Sequence, residues 1–65
     1  IMKDKIGTNA GLVWNALLVG NLDIKALKKA TKLNDKDVYA ALGWLAREDK
    51  IYFVETESEL IVGLA

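Results

Sequence analysis

The stretch from Asp23 to Trp44, DIKALKKATKLNDKDVYAALGW, limits what this chain can fold into more than any other segment. It holds two sets of apolar residues at helical spacing: Ile24, Leu27 and Ala30, then Val38, Ala41, Leu42 and Leu45. Each set follows a residue that caps helices well, Asp23 in the first case and Asn34 in the second. Asp37 stands three residues after Asn34, at the capping-box position where Glu or Gln is more usual. Thr31 to Leu33 leaves room only for a turn, with Leu33 expected to plug that turn into the core. The segment therefore reads as two short amphipathic helices meeting at a tight turn.

The flanking sequence supplies the rest of a fold. Ile6, Ala10, Val13 and Leu17 share one helical face, with Trp14 at its edge, and Thr8 or Asn9 is the expected N-cap. Gly20-Asn21 ends that helix, and Leu22 is expected to be extended and buried. Glu48-Asp49-Lys50 closes the third helix. Ile51-Tyr52-Phe53-Val54 and Leu60-Ile61-Val62 are β-branched or aromatic runs, so the C-terminal part reads as a hairpin. With Glu57-Ser58 at the turn centre, Ile51, Phe53, Leu60, Val62 and Leu64 share one face. Tyr52, Val54 and Ile61 then share the other, and a one-residue slip would exchange the two. The expected architecture is α+β: three helices followed by a two-stranded β-hairpin, in a single domain over residues 1–65.

Composition removes several function classes. A chain of 65 residues buries only about 60% of its unfolded surface. With no Cys and no His, neither a disulfide nor the common soft metal ligands can staple it. An apolar content of 52% favours a compact core and leaves material for a second buried surface such as a dimer interface. Nine basic and nine acidic residues give zero net charge, so any attraction to nucleic acid must come from local patches. No apolar run reaches the length of a membrane span. The start, IMKDKI, lacks the apolar stretch of a signal peptide, so the expected location is the cytoplasm. The hydroxyls of Thr8, Thr31, Thr56 and Ser58 have no evident base, and Gly7 and Gly11 do not make a phosphate-binding loop. No enzyme, cofactor, metal or small-molecule site is expected.

Three helices and a hairpin, with helix-turn-helix spacing in the second and third helices, is the winged-helix layout. Asn34 to Ile51, NDKDVYAALGWLAREDKI, is similar to the recognition helix and first wing strand of many bacterial and archaeal regulators. The shared pattern is Val38, Ala41, Leu42 and Leu45, then a charged turn and Ile51. Residues 41 to 48, with Ile6-Gly7 and Asn9-Ala10-Gly11, resemble more narrowly a family of small stand-alone winged helix-turn-helix proteins. That resemblance covers nearly the whole chain. It implies the winged-helix fold and, as activity, DNA binding; no further function is assigned to that family.

Two sets of candidate residues follow. Lys25, Lys28, Lys29 and Lys32 lie opposite Leu27 on the helical wheel and suit phosphate contact, because the first helix of this motif often crosses the DNA backbone. The same lysines also make an ordinary solvated helix face. On the third helix, Lys36 and Arg47 are of the type that reads base edges, around Ala40 and Gly43, which only permit close approach. Glu55, Glu57 and Glu59 at the hairpin tip oppose phosphate approach. The second set, Trp44, Tyr52, Val54 and Ile61, forms a candidate surface for a protein partner or a second copy of the chain. Its aromatic members equally suit filling a small core. The candidate partners are therefore double-stranded DNA, a second copy or another protein.

Overall fold

A computed structural model covers residues 1–65. The chain runs through α1 (Met2–Ala16), a 3-10 turn (Leu17–Val19), β1 (Leu22–Asp23), α2 (Ile24–Thr31), α3 (Asp35–Arg47), β2 (Ile51–Glu55) and β3 (Leu60–Leu64). The expected three helices and hairpin are present, and β1 adds a third strand. All pairings are antiparallel, in the order β1-β3-β2, so β3 is central and β2 lies at an edge.

Helix α1 begins two turns earlier than the expected cap at Thr8 or Asn9. Those residues lie inside the helix, with Thr8 exposed and Asn9 buried. Gly7, Thr8 and Asn9 resemble a break locally, but packing along α3 overrides that preference. Lys5 reaches Asp37 on α3 at 3.6 Å. The Trp44 ring packs beside Gly7, 3.8 Å from where a Cβ would sit, an ordinary contact distance. Asp4 in the first turn suits the positive end of the helix dipole. At the far end, Gly20 takes φ 142, a conformation favouring glycine, and turns the chain into β1.

The core sits between the helices and the inner face of the sheet. It is built from Ala10, Val13 and Leu17 of α1, Leu27 of α2, Val38, Ala41, Leu42 and Leu45 of α3, and Ile51 and Val62 of the hairpin. These are largely the residues their periodicity selects. Ile6 is half-buried, and Ala30 is exposed rather than inward. Helix α2 has only two turns and meets the core through Leu27, helped by Ile24 and, past the turn, Leu33. Ala30 falls beyond that contact.

The helix ends show why the turns form. Asp23 Oδ1 accepts from the Ala26 N–H at 2.7 Å, and Asn34 Oδ1 accepts from the Asp37 N–H at 2.8 Å. The Asp37 carboxylate does not complete a capping box and pairs with Lys5 instead. In the turn, the Thr31 hydroxyl donates to the Leu27 carbonyl at 2.7 Å and accepts from the Leu33 N–H at 3.3 Å. The hairpin register is the one that a Glu57-Ser58 centre requires: Ile51 faces Leu64, Phe53 faces Val62 and Glu55 faces Leu60.

Candidate nucleic-acid interface

Helix α2 presents Lys25, Lys29 and Lys32 to solvent, and none of them forms an ion pair. Lys28 differs from its neighbours. Its Nζ lies 2.7 Å from Asp35 Oδ1, a link across the turn to α3. Lys32 takes φ 61 as the C-cap of α2. Lys36 follows in the first turn of α3, exposed and without an ion-pair partner, but between Asp35 and Asp37. Four lysines outside any ion pair thus span α2, the turn and the start of α3.

Arg47 belongs to a different neighbourhood. It ends α3 and lines a shallow recess with Lys3, Trp44 and Glu48 at the N-terminal end of α1. Lys36 and Arg47 are eleven residues apart on one helix, or about 16 Å along its axis. Between them, Ala40 is half-buried and Gly43 is exposed, with open space where its Cβ would be. The outward face of α3 therefore has two cationic ends with Ala40 and Gly43 between them, flanked by an exposed Tyr39.

The wing has the opposite sign. Glu55, Glu57 and Glu59 are all exposed, and no basic residue follows Lys50. The tip closes through Thr56, whose N–H donates to the Glu59 carbonyl at 2.9 Å and whose hydroxyl accepts from the Glu59 N–H at 2.9 Å. The Glu59 carboxyl meets Asp23, the cap of α2. The Ala26 N–H, a hydrogen bond from Glu59 and the charge of Lys25 hold Asp23 below the usual carboxylate range. The same hydrogen bond and the Asp23 charge push Glu59 above its usual range. Negative charge is thus concentrated at the N-terminal end of α2, and the lysine row lies beyond it.

The candidate protein-contact residues divide. Trp44 is half-buried and packs against the core beside Gly7, lining a groove of about 390 Å³ with Gly11 and Trp14. The strand alternation places Tyr52, Val54 and Ile61 together on the outer face of the sheet. Tyr52 and Val54 are exposed, whereas Ile61, on the central strand, is half-buried. Tyr52 lies across Gly63, where its hydroxyl accepts from Asn21 Nδ2 at 2.9 Å. Sequence reasoning missed Asn21, Gly63 and Lys3. The Tyr52–Gly63 contact was accessible in principle, because the expected register already sets these residues opposite each other. A further groove of about 520 Å³ runs between α3 and the hairpin, lined by Tyr39, Gly43, Ala46, Phe53 and Leu60. Phe53 points inward as its alternation requires, yet it remains exposed because α3 does not cover it.

Comparison with known proteins agrees with this architecture. Residues 1–64 match the family described as Winged helix-turn-helix domain (DUF2582). The chain is 33% identical to the uncharacterized protein MJ1608 of Methanocaldococcus jannaschii over 97% of its own length and 94% of that protein. It is also similar to the solution NMR structure of protein BT2368 from Bacteroides thetaiotaomicron. That match has a TM-score of 0.88 and 31% identity, covering 98% of this chain and 79% of the other. With the fold, the helix-turn-helix and the sequence match in agreement, this chain belongs to the DUF2582 family of winged helix-turn-helix domains.

Proposed function

We propose that this domain is a DNA-associated, non-catalytic transcriptional regulator that docks on the phosphate backbone through α2. The observation that carries this reading is the row of Lys25, Lys29, Lys32 and Lys36, all exposed and none ion-paired. Lys28 shares its charge with Asp35 and contributes less. Phosphate contacts of this kind position a protein without reading sequence. Lys36 and Arg47 supply weak base readout from the two ends of α3, whose small central residues permit close approach to a groove. The acidic wing stays off the DNA. A cytoplasmic location goes with this role.

Binding to a duplex should be strongly salt-dependent. Three phosphate contacts, from Lys25, Lys29 and Lys32, give a slope of log K against log salt of about −2.7. Replacing Lys25, Lys29 and Lys32 together by Ala should remove most of that slope. Fluorescence anisotropy of a labelled duplex across a salt series measures both. Absence of binding at the lowest salt, or an unchanged slope in the triple variant, would sink the proposal.

A second reading is that the scaffold serves protein contact. It draws support from the exposure of Tyr52 and Val54 on one sheet face. Trp44, packed beside Gly7 and lining a groove with Trp14, stands apart from that face.

A further inference from the structure

Strand β2 is an unprotected sheet edge. It pairs with β3 on one side and with nothing on the other. Its three central side chains, Tyr52, Phe53 and Val54, are 43%, 42% and 45% exposed. The strand has no Pro and no Lys, and its pairing with β3 runs without a bulge, so the usual devices that blunt an edge are missing. Within the strand only Glu55 is charged, and Lys50 flanks its start.

The Ala65 N–H donates to the Lys50 carbonyl and the Thr56 N–H donates to the Glu59 carbonyl. Hydrogen-bonded pairs alternate along an antiparallel ladder. With the observed register, Tyr52 and Val54 therefore bond to β3, and Ile51, Phe53 and Glu55 point their N–H and C=O groups outward.

We propose that a second copy of this chain covers that edge, β2 against β2, joining two three-stranded sheets into one. An antiparallel twofold centred on Phe53 engages every outward group. Ile51 pairs with Glu55 of the second copy, Phe53 with Phe53, and Glu55 with Ile51, for about six hydrogen bonds. Tyr52 then stands directly opposite Val54 of the second copy on the outer face, an aromatic and β-branched pair at the closer cross-strand spacing. Charge selects the same orientation. The antiparallel pairing keeps the two Glu55 side chains at opposite ends, each near a Lys50 that also pairs with Glu48, whereas a parallel arrangement would set Glu55 against Glu55. On the inner face, Phe53 of both copies meets at the twofold, next to the groove lined by Tyr39, Gly43, Ala46 and Leu60. This inference is independent of the DNA-binding reading.

Residue 53 faces itself across the twofold, so a charge swap tests the arrangement. In sedimentation at high micromolar concentration, the wild type should have twice the 7.2 kDa chain mass. Phe53→Glu alone and Phe53→Lys alone should each halve that mass, with far-UV circular dichroism unchanged. Their equimolar mixture should restore it. Amide exchange of the wild type gives a second measurement that needs no variant. The Ile51, Phe53 and Glu55 amides should be protected at high concentration and exchange freely on dilution. A monomeric wild type, variants that remain dimeric, or a mixture of folded variants that remains monomeric would each overturn the proposal. So would edge amides that exchange freely at every concentration.

Discussion

Gly63 lies in the central strand, and the space of its missing side chain is taken by Tyr52. A Cβ there would stand 2.5 Å from both Asn21 Oδ1 and the Tyr52 ring. Gly63→Ala should therefore expel the ring, break the Asn21–Tyr52 hydrogen bond and cost about 1–3 kcal/mol, as overpacking does. A denaturant melt measures the loss, and prior substitution of Tyr52 by Ala should remove most of it. Equal losses in both backgrounds would show that Tyr52 is not the obstacle. The residue scale also separates the lysines of α2. Their placement opposite Leu27 was legible from helical periodicity. The pairing of Lys28 with Asp35 was not, because it depends on how the turn orients α3.

Among the elements, the helix ends are the best determined by local chemistry. Asp23 and Asn34 cap α2 and α3 as their residue types suggest. The end of α3 is less comfortable. Lys50 N–H donates to the Leu45 carbonyl and Asp49 N–H to the Ala46 carbonyl, which forms a Schellman motif. The left-handed position, φ 56, is held by Asp49 rather than the usual Gly. Asp49→Gly should stabilise the protein by up to ~1 kcal/mol, since it relieves the left-handed strain at the cost of a looser unfolded chain. A thermal melt tests this, and a lower midpoint would show that the Asp49 side chain contributes more than its backbone costs. The start of α1 was illegible for a related reason. Gly7, Thr8 and Asn9 favour a break in isolation, while contact with Trp44 and the Lys5–Asp37 pair keep the helix going.

Across the whole molecule, zero net charge hides a segregation of basic α2 from the acidic wing. The two meet where Asp23 faces Glu59, and this contact makes stability depend on pH in two opposite ways. Asp23 is held below its unfolded value, so its contribution is present above that value and lost as pH falls through the lowered one. Glu59 is raised, so its contribution is present below its unfolded value and lost as pH rises through the raised one. Glu59→Gln should therefore raise stability at neutral pH relative to wild type, with the advantage shrinking at mildly acidic pH. Denaturant melts at the two conditions measure the difference, and a pH-independent difference would show that the carboxyl pair is not its source. The sequence by itself determined the three helices, the hairpin, its register and most of the core. Those features rest on 3.6- and 2-residue periodicities and on caps, which act over a few residues. Only the tertiary structure decided that β1 joins the sheet, that β3 is central and β2 is left at the edge, and that Phe53 faces inward yet stays uncovered. Periodicity fixes which face of a strand is apolar, but the neighbours that cover it come from distant parts of the chain.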